Sequence, residues 1–161
     1  MHTLLTPKTL ALVAAFGSLA LLLGAYVFQL VGYAPCQMCL WQRWPHGAAI
    51  ISGAMVLMGG SLLFWGVAGA ISALTTAALG AYHTGVERQI LAGPQACSGG
   101  GGSLADLSVE DLLSTDGIVN VVRCDEVAWA FAGLSMASWN ALLSLMLAAL
   151  WTVAAVRARR R

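Results

Sequence analysis

Charge is what this sequence has least of: 9% of its 161 residues are Asp, Glu, Lys or Arg, against 59% that are hydrophobic. A soluble globular domain carries about 25% charged residues, so the composition excludes one and indicates a single integral membrane domain over residues 1–161. Cysteine is also scarce, at four. Position 40 is Leu, not the His that would follow a Cys-x-x-Cys in a c-type haem site, and Cys97 and Cys124 do not make the second close-spaced pair of a structural zinc site. No metal is therefore expected. No internal repeat is present either, and Gly99–Gly102 is the only low-complexity run.

The few charges are separated. Lys8 and the run Arg157, Arg159, Arg160, Arg161 sit at the two ends, while all seven acids lie between Glu87 and Glu126. From Thr9 to Gln29 there is no charge, enough for about 30 Å of helix. That run also exceeds the apolar core of about 7 to 15 residues in a cleaved signal peptide. Between Arg43 and Glu87 lie 43 uncharged residues. As one helix they would reach roughly 65 Å, about twice a hydrocarbon core, so the stretch must fold back, with Gly59-Gly60-Ser61 as the expected break.

The expected architecture is an all-α, four-transmembrane-helix bundle with spans near 9–31, 45–61, 66–83 and 136–156. Loops at about 32–44 and 84–135 carry the cysteines. The positive ends assign both termini to the cytoplasm. Both loops then face outward, which in a bacterium is the disulfide-permissive periplasm. Within the first loop, Pro35 is suited to open a helical turn, which would put Cys36, Cys39 and Arg43 on one face, and Pro45 is expected to end or kink that piece. A short amphipathic helix is expected after the glycine run, with Ser103 as N-cap and Leu104, Leu107, Leu112 and Leu113 on its apolar face.

The two cysteine pairs differ in what they can do. A bridge between Cys36 and Cys39 restrains almost no chain, whereas one between Cys97 and Cys124 closes about 28 residues, worth on the order of 3.6 kcal/mol in the loop-entropy model. The second pair suits either a structural bridge or exchange with an outside partner through a flexible loop. The first suits redox chemistry, because a helix start and a nearby cation favour the thiolate. Arg43, one turn after Cys39, can stabilise that thiolate or hold a polar carbonyl, or simply anchor the span at the interface. His46 and His83 are candidate proton donors or hydrogen-bond partners to a quinone carbonyl, or polar anchors.

The segment Pro35-Cys36-Gln37-Met38-Cys39-Leu40-Trp41-Gln42-Arg43-Trp44-Pro45-His46 resembles the Cys-x-x-Cys-x-x-x-Arg signature of the DsbB disulfide-forming quinone reductases. Gly80 to Glu87, Cys124 to Glu126, Trp129 to Phe131 and Gly133 to Asn140 are similar to that family in the same order. The resemblance implies a bacterial inner-membrane enzyme that reoxidises a periplasmic DsbA-type thiol oxidase and passes the electrons to ubiquinone or menaquinone, with no nucleic-acid partner. It implies that Cys97 is attacked by the partner, that released Cys124 attacks Cys36, and that Cys39 is the thiolate beside a quinone held by Arg43. His83 matches a family position near the quinone. The glycine-rich run after Cys97 departs from the family pattern. From another class, the chain would be a structural or transport subunit stabilised by a permanent Cys97–Cys124 bridge.

Overall fold

The computed structural model describes residues 6–94, 97 and 122–160. The amphipathic helix expected after the glycine run lies outside them. Four long helices are present among the described residues: α1 (Pro7–Leu30), α2 (Gln37–Leu57), α3 (Leu62–Glu87) and α4 (Met136–Arg159). A two-residue hairpin, β1 (Ala130–Phe131) and β2 (Leu134–Ser135), leads into α4.

Each helix begins on a side chain that accepts from its first turn. Thr6 caps α1, Ser61 caps α3 and Ser135 caps α4. Each thereby satisfies a backbone N–H that has no intrahelical partner. Helix α2 is capped by a cysteine: Cys36 is extended (φ −74°, ψ 170°) and its Sγ accepts from Cys39 N–H at 3.3 Å. The α2–α3 turn falls where the glycines stand. Gly59 takes φ +88°, and Gly60 N–H donates to Met55 O at 2.8 Å.

Two expectations are corrected. Pro45 neither ends a helix nor separates a loop piece from a span, since α2 runs unbroken from Gln37 to Leu57. One missing backbone donor in a 21-residue helix is outweighed by packing of α2 on both α1 and α3. The hairpin also breaks the all-α expectation. Its turn uses positive φ at Ala132 (51°) and Gly133 (78°), and a two-residue strand is too short to show periodicity in sequence.

The helices form a closed four-membered ring in chain order, with α4 packing back on both α3 and α1. Small residues set the spacing. Ala11, Ala14, Ala73, Ala148 and Ala154 are buried around Trp151, which is fully enclosed. With lipid outside there is no hydrophobic drive between helices, so close backbone approach through small side chains supplies the contact. Large apolar side chains point outward instead, among them Phe16, Leu23, Phe64, Ile71 and Met146. Three helices, α1, α3 and α4, are long and apolar enough to cross a membrane, with mean hydropathies of 2.2, 1.8 and 1.8. The protein is thus a multi-pass membrane protein. The first half of α2 carries Gln42, Arg43, Pro45 and His46, which lowers its apolar character.

At Gly69 a Cβ would stand 2.5 Å from the Trp151 ring, and the ring has nowhere to move. Gly69→Val is expected to destabilise the bundle by about 1–3 kcal/mol through overpacking. The measurement is the midpoint of SDS-induced unfolding in detergent micelles. Gly47→Ala, whose Cβ meets nothing within 4 Å, should leave that midpoint unchanged or raise it. A wild-type midpoint for Gly69→Val would contradict the packing described.

Candidate functional site

Cysteine chemistry concentrates at one end of the bundle. Cys36, Cys97 and Cys124 are buried together with Met38 and Val86, and Cys39 packs against them. Cys97 and Cys124 form a disulfide with Cα atoms 5.1 Å apart, while Cys36 and Cys39 are free thiols. The capping turn places the Cys36 and Cys39 sulfurs 3.0 Å apart, within hydrogen-bond reach of each other. His83, on α3, brings its Nε2 within 3.6 Å of the same sulfur.

These contacts make the two thiols unequal. The Cys36 thiol is pulled down to about 4, first by the hydrogen bond from Cys39 and then by His83, while burial opposes the shift. Cys39 is pushed up because its proton is held by Cys36, and burial adds to the effect. The reduced pair therefore favours the thiolate at Cys36 over that at Cys39. From its spacing, Arg43 was expected to stabilise a thiolate or to hold a polar carbonyl. Arg43 instead donates from Nη1 to Gln29 Oε1 at 2.8 Å, and its guanidinium lies 4.6 Å from the Tyr26 ring centroid.

A line of polar side chains crosses the bundle behind the sulfurs. Gln42 Nε2 lies 3.0 Å from both Met38 O and His83 Nδ1. Asn140 on α4 donates to Gln42 Oε1 at 2.6 Å and to Thr76 Oγ1 at 3.3 Å. His46 Nε2 meets Asn140 Oδ1 at 2.9 Å. Beyond His83, Glu87 accepts a very short hydrogen bond from Ser135 and stands 4.0 Å from His83 Nε2. Sequence reasoning missed Gln42, Asn140, Thr76 and Glu87. Polar residues inside otherwise apolar helices are the signal that could have found them.

Cys36, Cys39, Arg43, His46 and His83 all line one cavity of about 260 Å³, whose remaining wall is largely apolar and comes mostly from α1, the α1–α2 connection, α4 and the segment before β1, with Gln42 and Glu87. The disulfide partners Cys97 and Cys124 lie beside this cavity rather than in its wall. Two buried polar atoms here, Arg43 Nε and His46 Nδ1, have no hydrogen-bond partner among the described residues. Such atoms are rare and costly, and they mark where a ligand's polar groups fit. The ligating atoms of Cys36, Cys39 and His83 lie within 4.8 Å of one another, which is also a donor set that a soft metal ion can use.

Residues 7–154 match the family model described as Disulfide bond formation protein DsbB. The chain is 28% identical over 158 residues to the Disulfide bond formation protein B of Acidovorax sp. (strain JS42), and 27% identical over 158 residues to that of Paracidovorax citrulli (strain AAC00-1). Each alignment spans 95% of this chain and 89% of the relative. No solved structure matches.

The inequality of the thiols gives a pH-dependent expectation. A thiol lowered to about 4 is ionised above that pH, whereas an ordinary one near 8.5 is almost wholly protonated at pH 6. Iodoacetamide at pH 6 should modify Cys36 and spare Cys39 in the reduced protein, read by peptide mass spectrometry. Equal labelling, or none at either thiol below pH 8, would contradict the assignment.

Proposed function

The chain belongs to the DsbB family of disulfide bond formation proteins, and from that premise we propose that it is a protein-dithiol:quinone oxidoreductase of the bacterial inner membrane. It reoxidises a periplasmic DsbA-type thiol oxidase and generates disulfides de novo. The observation that carries this reading is a close thiol pair at the head of an apolar cavity, with a second, oxidised cysteine pair buried against it. In the proposed topology α2 is the fourth span, entering the membrane near Pro45. Both termini are then cytoplasmic and the cysteine end faces the periplasm.

The cavity suits a quinone ring. Its walls are mostly apolar, and Arg43 Nε–H is a free donor for a quinone oxygen. Because Asn140 Oδ1 can only accept, His46 Nε2 donates to it, which leaves His46 Nδ1 as a free acceptor for a hydroxyl of the reduced form. At about 260 Å³ the space is at the small end for ligand sites, enough for a ring head with the tail lying between helices. When bound, a quinone supplies a two-electron, two-proton oxidant, so one dithiol becomes one disulfide for each quinol formed.

The protein's residues carry the rest. The partner's thiolate attacks Cys97 and releases Cys124. Cys97 is 2% exposed, so its segment must open for this step. Cys124 then attacks Cys36 in its oxidised form, breaking the Cys36–Cys39 bond and expelling Cys39 as the thiolate. Two of the influences that hold the Cys39 proton in the reduced pair, the hydrogen bond to Cys36 and the charge on Cys36, vanish once Cys36 is in a disulfide, while burial remains. Cys39 is thereby free to carry charge at the cavity, where Arg43 also lies.

Purified full-length protein, a reduced thioredoxin-like oxidase and a short-tailed ubiquinone analogue provide the test. Partner thiols should be oxidised as quinone absorbance is lost, one dithiol per quinone, and Cys39→Ser should abolish the loss. Quinone reduction that survives Cys39→Ser would show the assigned role to be wrong.

A further inference from the structure

The polar line behind the cysteines has a direction, and one backbone atom sets it. Met38 O can only accept, so the Gln42 side-chain atom 3.0 Å away must be its NH₂ group. The same NH₂ faces His83 Nδ1 at 3.0 Å, which makes Nδ1 the bare acceptor nitrogen of that ring. The ring proton is then on Nε2, the atom facing Cys36 Sγ at 3.6 Å. On the other side Gln42 Oε1 faces Asn140, whose NH₂ must point at it. That orientation agrees with the neighbours: Thr76 donates its hydroxyl to Gln42 O and so accepts from Asn140, and Ser144 donates to Asn140 Oδ1.

We infer that Gln42 and Asn140 are positioning residues of a one-way hydrogen-bond chain, His46 to Asn140 to Gln42 to His83 to Cys36, that holds the His83 proton on Nε2 and so directs it at the Cys36 sulfur. Every link donates in the same sense. The opposite tautomer would turn a lone pair towards two sulfurs within 4.8 Å, which is how histidine ligates zinc when a carboxylate or carbonyl holds its other nitrogen. The amide pair therefore decides between a hydrogen-bonded redox thiolate and a metal trap built from the same three side chains.

Besides His46 and His83, other ionisable groups line the same cavity. Cys39 and Arg43 come from α2, Glu87 from α3, Tyr33 from the connection before α2, and Arg123 and Glu126 from the segment before β1. Helices α1 and α4 contribute no ionisable group to the cavity wall. None of these groups touches Gln42 or Asn140 in a hydrogen bond, so a change at either amide reaches Cys36 through His83.

The inference deepens the redox reading and rests on Cys36 being a working thiol, but it is tested without quinone. In ¹⁵N-histidine NMR of the reduced full-length protein in detergent, His83 should show a protonated Nε2 and an unprotonated Nδ1. Gln42→Glu, whose carboxylate accepts from Nδ1, should reverse the two. Asn140→Asp, which sets an acceptor against Gln42 Oε1 and turns the amide, should do the same from two residues away. Both variants should move the midpoint of the pH profile of Cys36 alkylation up by about one unit, the scale of a lost hydrogen bond to a charged acceptor, and leave the rate at pH 9.5 within about twofold. Gln42→Glu should also bind Zn²⁺ at least about tenfold more tightly than the wild type. A wild-type His83 protonated on Nδ1 overturns the inference with no variant needed. So does an unchanged tautomer and an unchanged alkylation midpoint in variants that keep their helical content and the Cys97–Cys124 disulfide. Failure of quinone reduction with the tautomer as stated would count against the function and not against the chain.

Discussion

Asn140 on α4 and Gln42 on α2 face each other at 2.6 Å in the interior of a bundle whose outer surface is made for lipid. An amide in that position has no water to fall back on, so all its donors and acceptors must be met by neighbours. Meeting them requires close helices. The alanines and glycines of the core permit that approach, and Gly80, whose Cβ would stand 3.0 Å from Ala141 N, allows α3 and α4 to touch near Asn140. The small-residue core and the polar line are two sides of one packing solution. The first brings the helices together, and the second fixes which way each side chain points.

From that line the asymmetry of the thiols follows. Cys36 stands where the Cys39 backbone N–H, the Cys39 sulfur and His83 Nε2 converge. A sulfur at a helix start among such neighbours is favoured as the thiolate, and its neighbour is then left holding the proton. The proposed order of chemistry depends on this inequality. In that proposal Cys36 carries the charge while it is free, and Cys39 becomes the charged sulfur only after Cys36 has been taken into a bond with another cysteine. Arg43 and His46 wait further along the cavity, each with one unpaired polar atom.

Much of this was legible in the sequence, for physical reasons. The 43-residue uncharged run had to turn because of its length, and it turns at the glycines expected. The spacing of Cys36, Cys39, Arg43 and His46 brought them to one cavity because one helix carries Cys39, Arg43 and His46 from a start at Cys36. Three features were hidden. Pro45 signals a break that tertiary packing overrides, and the hairpin before α4 is too short to leave a pattern. The amide pair was hidden for another reason, since Gln42 and Asn140 are 98 positions apart and meet only when α4 closes the ring. No local periodicity encodes that meeting.

The account stands on the two cysteine pairs communicating across the loops. In a Cys39→Ser, Cys97→Ser double variant of the full-length protein only Cys36 and Cys124 remain, and they sit in one buried cluster. Non-reducing peptide mapping after mild oxidation should find them joined in nearly every molecule. Two free thiols, with the fold intact by its helical content, would contradict the exchange on which the proposed function depends.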